Sequence, residues 1–226
     1  MWPLYQGRSC LPPSLWGGDG ANRNCTLGGY PSYAVNATNV AQVQVAVNFA
    51  RTKGLRLVIK NTGHDYVGKG SGAGALSIWT HNLRGYKFVP DLQIGDYSGP
   101  ALKVAAGMVS TDVYQAAEDN NVVVLGGMCL VSTSFLARAR LEAQHADDLC
   151  NNRQSVGWAG GYLAGGGHSP MSTIYGLAAD QILALEVVTA SGRFLTVTEA
   201  SQPDLFWALR GGGGGTFGVV TSGNHV

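Results

Sequence analysis

The segment of residues 60–74 contains the side chains and turns that best fit a chemical role. It reads Lys-Asn-Thr-Gly-His-Asp-Tyr-Val-Gly-Lys-Gly-Ser-Gly-Ala-Gly and follows residues 55–59, which we predict to be a buried strand. A strand that ends in a glycine-containing turn exposes successive main-chain N–H groups, and such a nest binds phosphate oxygens. The segment matches neither a Walker loop nor the dinucleotide fingerprint that opens a helix. The alternative interpretation is a solvated loop with an incidental histidine, His64.

Glycine is concentrated in two further segments. The chain has 33 glycines among 226 residues, about 15% against a usual ~7%. Residues 160–180 begin Gly-Gly-Tyr-Leu-Ala-Gly-Gly-Gly-His, and residues 211–220 read Gly-Gly-Gly-Gly-Gly-Thr-Phe-Gly-Val-Val. Such small residues would let a flat ring or a pyrophosphate approach the main chain. A glycine run is also typical of a linker, but the apolar residues that follow favour a tight turn into a core strand.

The overall composition argues against several classes of function. The formal net charge is +1 and 13% of the residues are charged, about half the usual ~25%. The sequence therefore offers no electrostatic reason to bind nucleic acid or an anionic membrane. No apolar run approaches the ~18 residues that a membrane-spanning helix needs. We expect no nucleic-acid or membrane partner, and we assign no metal ligands.

Many short strands and few helices must position these segments. One helix is expected to begin after Asn39, which can cap it, and to end at Gly54. Residues 182–188 and 194–197 are expected to pair across the turn at residues 191–192. This pattern is not a regular βαβ alternation, and it predicts an α+β fold. The other predicted strands are residues 33–36, 55–59, 76–79, 86–89, 102–105, 122–125 and 219–221, and the other predicted helices are residues 111–120 and 203–209.

The cysteines and two sequons favour an oxidising, secretory environment. Cys10 and Cys25 flank a loop rich in proline and glycine that a disulfide could close. Asn24 and Asn36 both begin N-glycosylation acceptor triplets. We expect the parent protein to be secreted, although no signal peptide precedes these residues. Either the true start lies upstream, or the protein is not exported.

Five motifs in a fixed order resemble a known family over about residues 5–223. The chain is similar to the FAD-binding domain shared by vanillyl-alcohol oxidase and p-cresol methylhydroxylase, in the branch of berberine-bridge-enzyme-like oxidases of the fungal secreted type. The resemblance implies a two-subdomain FAD-binding fold at residues 32–223, preceded by an irregular leader at residues 1–31. The motifs lie at residues 60–65, 126–129, 155–169, 175–180 and 211–220.

The resemblance also implies a role for individual residues. His64 matches the histidine that binds the flavin 8α carbon covalently, and Cys129 matches the cysteine that attaches to flavin carbon 6 in the bicovalent branch. Val219 and Val220 match the strand beside the adenine end. The remaining cofactor-binding candidates, in the pyrophosphate loop and the glycine motif, are Lys60, Asn61, Thr62, Gly63, Asp65, Gly157, Gly160, Gly161 and Gly167.

Residues 130–153 depart from the family pattern. Without them, Gly-Gly-Met-Cys would run directly into Gln-Ser-Val-Gly, as the family pattern does. Residues 131–132 can be encoded as an intron start, residues 146–147 as a fungal-type branch point, and the Arg153 codon can contain an acceptor AG. We interpret this insert as a retained intron, and the alternative is a real surface loop. A cDNA without this stretch would support the intron hypothesis.

The second departure is at the end of the chain, where the family continues into a substrate domain. That domain usually carries the catalytic base, so we assign no catalytic acid or base here. We expect the parent protein to oxidise a hydroxyl-bearing small molecule, such as a sugar, an alcohol or a secondary metabolite, with dioxygen as acceptor. Two alternatives stay open. One is a non-catalytic remnant with an exposed apolar edge, and the other is a reductase of the cell-wall-precursor type that uses NADPH and non-covalent FAD.

Several other reactive or aromatic residues are interpreted as structural. Cys150 has no matching position and is interpreted as a free thiol. His168 is expected to be packed or hydrogen-bonded within the glycine motif, and His81 to be a structural loop residue. Tyr66 and Tyr175 are interpreted as packing residues near the ring of the cofactor.

Overall fold

The structure, a computed structural model, describes residues 9–10, 25–127 and 155–226. The insert at residues 130–153, and with it Cys150, lies outside the described residues, as do Cys129, Asn24 and most of the predicted leader. The predicted disulfide between Cys10 and Cys25 is present, with Cα atoms 4.8 Å apart. It joins the two residues that flank the undescribed range 11–24.

A small parallel sheet forms the first half of the fold. Its strands are β1 (Tyr33–Asn36), β2 (Leu57–Lys60) and β3 (Leu76–Trp79), in the order β1-β3-β2. Helix α1 (Val40–Lys53) connects β1 to β2. The elements predicted here are confirmed, although β2 begins two residues later than expected. Because β2 and β3 are parallel, the chain between them must return along the sheet, and that connection contains the polar segment with His64.

The boundaries of α1 follow from its two caps. The side chain of Asn39 accepts a hydrogen bond from the main-chain N–H of Gln42 (3.0 Å), as the sequence predicts. Gly54 ends the helix with φ of 62°, a left-handed conformation that glycine adopts without steric cost. The apolar face packs on the parallel sheet, and its buried residues are Val43, Ala46, Val47 and Ala50.

A larger antiparallel sheet forms the second half. Its order is β4-β5-β8-β6-β7, so the last strand of the chain lies at the centre. The predicted pairing of residues 182–188 with 194–197 is confirmed. The strands are β4 (Tyr86–Ile94), β5 (Tyr97–Ala105), β6 (Ile182–Val188), β7 (Phe194–Val197) and β8 (Val219–His225).

Strands β4 and β5 are about twice as long as predicted and form one hairpin. Its turn has Gly95 at φ of 54°. The predicted strand at residues 86–89 stops directly before Pro90, and a proline cannot donate to a ladder. The structure accommodates this residue at a register shift between Val89 and Leu92, after which pairing resumes.

Residues 122–125 are not a strand, so that prediction is wrong. They follow helix α2 (Ser110–Asp119), which is confirmed to within one residue at each end. Leu125 is buried, and Val122 and Val124 pack against the same hydrophobic cluster. The apolar pattern therefore reflects packing on the core and not pairing in a ladder.

Trp158 lies at the centre of the main hydrophobic cluster. It is 0% exposed and begins a π-helix, Trp158–Leu163. Its ring meets those of Tyr114, Tyr162 and His225 at centroid distances of 5.7, 5.3 and 5.6 Å. Burial lowers the pKa of His225 to about 4, so this ring is neutral at neutral pH.

Each sheet has its own hydrophobic cluster, and β8 contributes to both. Val219 packs with α1 and the parallel sheet, whereas Val220 packs in the cluster of Trp158. The predicted α+β fold is confirmed. The remaining described elements are the short helices α3 (Ser172–Tyr175) and α4 (Pro203–Leu209) and two 3-10 helices, Thr80–Asn82 and Ala178–Gln181. None of the described helices is long and apolar enough to cross a membrane.

Candidate functional site

The three glycine-rich segments predicted from the sequence lie side by side. A Cβ atom on Gly214 would lie only 2.5 Å from the carbonyl oxygen of Gly160. One on Gly215 would lie 3.2 Å from Cβ of Ile59, the residue before the end of β2. The main chain of the glycine run therefore packs on the main chain of the π-helix on one side and on Ile59, just before the polar loop, on the other. We call this surface, formed by residues 61–70, 157–163 and 211–216, the glycine cradle.

Asp65 folds the polar loop onto itself. Its carboxylate accepts hydrogen bonds from the main-chain N–H groups of Lys69 (2.5 Å) and Gly70 (3.2 Å). The ammonium of Lys69 donates to the hydroxyl of Thr216 (2.5 Å), which follows the glycine run. One carboxylate and one ammonium thus hold the loop in shape and attach it to a segment about 150 residues further along the chain.

Asn61 fixes the beginning of the loop through three hydrogen bonds. Its Nδ2 donates to the carbonyl oxygen of Ala106 (2.8 Å), and its Oδ1 accepts from Nδ1 of His81 (2.9 Å). The indole N–H of Trp79 donates to the carbonyl oxygen of Asn61 (2.9 Å), and the Trp79 and His81 rings stack. His81 is therefore a structural residue, as the sequence predicts.

Replacing Gly157 with alanine is expected to destabilise the cradle. A Cβ atom there would lie 2.4 Å from Nδ2 of Asn61, which is already bound to Ala106. Because Asn61 cannot move away without losing that hydrogen bond, we expect the free energy of unfolding to fall by about 1–3 kcal/mol in a urea titration. Gly161→Ala is the matched control, since a Cβ there would meet no described atom within 4 Å. Equal losses in the two variants would contradict the packing.

His64 lies exposed at the edge of the cradle. Its Nε2 is 2.8 Å from the hydroxyl of Ser155, which lies 91 residues away in sequence and just before the π-helix. Nε2 is therefore held by a hydrogen bond, whereas Nδ1 has no hydrogen-bond partner among the described residues. Gly63, directly before it, has φ of 90°, a left-handed conformation that glycine adopts without steric cost.

Several of the other predicted cofactor residues lie at the surface of the cradle. Gly63, Gly161 and Thr62 are exposed or half-buried at the surface of the cradle, and the stem of Lys60 lies over Gly63, where a Cβ atom would be 2.8 Å from Cε. Gly167 packs on Ala178 further along the same motif.

Val219 and Val220 occupy a different environment, because their side chains are 2% and 4% exposed within the two hydrophobic clusters. Both whole residues are nearly fully buried, and they pair with Val188 and Val187 of β6.

Tyr66 and Tyr175 do not pack in the core of the described chain, because they are 98% and 53% exposed. Packing of either residue against the ring of bound FAD stays a prediction. The position of each explains this: Tyr66 lies in the loop beside His64, and Tyr175 lies on the short helix α3. His168 is exposed, and its carbonyl oxygen accepts a hydrogen bond from the hydroxyl of Tyr162 (2.9 Å), whose pKa burial raises to about 12.

The residues that connect distant segments are not indicated by the sequence. Ser155 is recognisable there only as part of a motif, and no pattern assigns a role to Lys69 or Thr216. A lysine between two glycines in a phosphate-binding loop is the one signal that would have indicated Lys69. No spacing in the sequence indicates the contact between His64 and Ser155, because it depends on how the two loops meet.

Comparison with known proteins identifies the family. A family model described as FAD binding domain matches residues 31–130 and 139–198, more than half of the chain. The chain therefore belongs to this FAD-binding domain family, and the predicted resemblance to the vanillyl-alcohol-oxidase type is confirmed. FAD is accordingly the cofactor.

Several similar proteins are fungal FAD-linked oxidoreductases or flavoproteins. The FAD-linked oxidoreductase ZEB1 of Gibberella zeae is 46% identical over 98% of this chain and 34% of its own length. The VAO-type flavoprotein oxidase VAO615 of Thermothelomyces thermophilus is 44% identical over 96% of this chain and 33% of its own. The crystal structure of the VAO-type flavoprotein MtVAO615 from Myceliophthora thermophila C1 superposes with a TM-score of 0.77 at 46% identity, over 89% of this chain and 32% of that one. This chain thus spans about a third of the length of the relatives it matches.

The residues of the glycine cradle fit FAD, which has a diphosphate and a flat ring system. Gly63, Gly213 and Gly215 have φ of 90°, 91° and 69°, conformations that favour glycine. Because glycine has no side chain, a bound molecule can approach the main chain at these positions. Main-chain N–H groups of a glycine-containing turn suit phosphate oxygens. Those of Gly211, Gly212 and Gly213 already donate to carbonyl oxygens of this chain. The polar loop that begins at Asn61, with the ammonium of Lys69, is therefore the part that fits the diphosphate. The space beside Gly161 allows a flat ring to approach the main chain.

Proposed function

We propose that this chain is the cofactor-binding part of an oxidoreductase that oxidises a hydroxyl-bearing small molecule and passes the electrons to dioxygen. The single observation that carries this proposal is His64, an exposed imidazole held at the edge of a cradle built from glycine main chain. FAD, when bound, accepts the hydride from the substrate. The chain binds the diphosphate through main-chain N–H groups and holds the ring beside His64.

His64 is proposed to attach the flavin covalently through the 8α carbon. Its position supports this role, because the loop that carries it is closed by Asp65 and tied to Thr216, and its Nε2 is already bound to Ser155. Cys129 is proposed as a second attachment, at flavin carbon 6. This second role rests on the motif alone, since Cys129 lies outside the described residues.

Secretion of the parent protein remains our proposal. The disulfide between Cys10 and Cys25 supports it, because such bonds persist in oxidising compartments. Asn36 is exposed in β1, and its side-chain oxygen accepts a hydrogen bond from Asn82 (2.6 Å), which a glycan at this position would have to displace or accommodate.

Reoxidation of the reduced flavin tests the proposed acceptor without knowledge of the substrate. The FAD-loaded chain is photoreduced without oxygen and then mixed with air-saturated buffer. We expect faster reoxidation than for free reduced FAD, and one hydrogen peroxide per flavin. Reoxidation no faster than for free FAD, combined with reduction of the bound flavin by NADPH, would contradict an oxidase and favour the reductase alternative. A folded chain that binds no flavin would favour the non-catalytic alternative.

A further inference from the structure

We propose that Ser155 is a positioning residue for the covalent attachment of flavin: its hydroxyl binds Nε2 of His64 and thereby makes Nδ1 the attacking nitrogen. The inference rests on the proposed role of His64 as the attachment site. It adds a second residue, with a defined task, to that attachment. The contact between Nε2 and the Ser155 hydroxyl, at 2.8 Å, is the observation on which it depends.

The position of Ser155 is fixed by the hydrogen bonds of the residues that follow it. The next residue, Val156, accepts hydrogen bonds at its carbonyl oxygen from the main-chain N–H (3.0 Å) and the hydroxyl (3.3 Å) of Ser110, at the start of α2. The N–H of Trp158 donates to the carbonyl oxygen of Met108 (3.1 Å). Gly157 between them packs on Asn61, which holds the base of the His64 loop. Ser155 and His64 are therefore anchored to the same framework, from opposite sides.

The hydrogen bond matters because the two imidazole nitrogens differ in their ability to attack. In the neutral ring one nitrogen carries the proton and the other carries the lone pair. When Nε2–H donates to the Ser155 hydroxyl, Nδ1 has the lone pair and is the only ring nitrogen free to attack. As Nδ1 forms a bond, positive charge develops on the ring and strengthens the Nε2–H donation, because charge-assisted hydrogen bonds are stronger than neutral ones. In this tautomer the hydroxyl leaves Nδ1 as the attacking nitrogen and stabilises the ring as it reacts.

The proposed step balances with dioxygen as oxidant. A bond forms between Nδ1 of His64 and the flavin 8α carbon. One C–H bond of the 8α methyl group and the Nε2–H bond of the imidazole break, and the Nε2 proton leaves past the Ser155 hydroxyl. The two electrons and two protons released by forming the new bond pass to dioxygen, which leaves as hydrogen peroxide. The flavin ends in its oxidised form and the imidazole ends neutral.

The rate of covalent attachment tests this role apart from activity. Flavin-free chain carrying Cys129→Ala, so that only His64 can attach, is mixed with FAD in air, and samples are denatured at intervals to measure the flavin that stays with the polypeptide. We expect Ser155→Ala to slow attachment roughly tenfold to a hundredfold, with unchanged affinity for non-covalent FAD. Ser155→Thr, which keeps the hydroxyl, is the matched control and is expected to restore most of the rate.

The attached isomer gives a second readout that a general loss of structure would not change. In a flavin peptide from the wild type, the 8α methylene protons should show nuclear Overhauser contacts to the Cβ protons of His64, because Nδ1 is next to the carbon that bears Cβ. In Ser155→Ala, contacts to the ring proton on Cδ2 should appear, since Nε2 is then free to react. Wild-type rate and a single isomer in Ser155→Ala would overturn the proposal. Attachment that persists in His64→Ala would instead overturn the proposed function.

Discussion

A chain in which His64 is replaced by alanine, in a Cys129→Ala background, is expected to bind FAD but to release all of it on denaturation. The reason is chemical, because alanine has no nucleophile with which to form a bond to the flavin. The cradle itself should persist, since His64 is exposed and its one described contact is the hydrogen bond with Ser155. Intact-mass spectrometry under denaturing conditions measures the result as the loss of the mass added by one FAD.

His168→Ala is the control for this experiment. His168 is also exposed and also lies in a glycine-rich segment, but it is not at the edge of the cradle beside Gly63. The control should retain covalent flavin to the same extent as the Cys129→Ala parent. If His64→Ala keeps the mass of FAD, another residue is the attachment site and the role given to His64 is wrong.

Replacing Trp158 with alanine is expected to lower the free energy of unfolding by about 3–5 kcal/mol, the range for deleting a large aromatic side chain from a core. Trp158 is 0% exposed and contacts three other rings, so the surrounding residues cannot close the space without moving the π-helix. FAD affinity should fall with it, because that helix carries Gly160 and Gly161. Urea denaturation measures the first effect and flavin titration the second.

Two controls separate packing from the loss of any tryptophan. Trp207→Ala removes a residue that is 76% exposed, and we expect a change within about 0.5 kcal/mol. Trp158→Phe keeps an aromatic ring and removes an indole N–H that has no hydrogen-bond partner among the described residues, so its cost should be clearly below that of alanine. A cost for Trp158→Ala as small as that for Trp207→Ala would contradict the central position of this residue.

The sequence predicted those elements whose causes are local. Asn39 and Gly54 mark the ends of α1, and the turn at residues 191–192 marks the hairpin of β6 and β7. The three glycine-rich segments were also predicted, because each carries its own signature of small residues. That the three segments form one cradle is consistent with the order of the motifs. No single segment indicates it.

What the sequence did not predict depends on contacts between distant residues. The apolar run at residues 122–125 fits a strand, but no described strand pairs with it, and core packing explains its composition. The sequence does not indicate the full length of β4, because Pro90 cannot donate to a ladder. The register shift that accommodates Pro90 depends on pairing with β5. The hydroxyl of Ser155 and the ammonium of Lys69 acquire their roles from His64 and Thr216, which are 91 and 147 residues away in the chain.

Native mass spectrometry of the purified chain after incubation with FAD tests the central claim most directly. The glycine cradle is formed entirely by described residues of this chain, so we expect one FAD per folded chain. The Gly157→Ala variant, whose Cβ would displace Asn61, should show less. A chain with the circular dichroism of an α+β fold that carries no FAD at saturating concentrations would contradict the account.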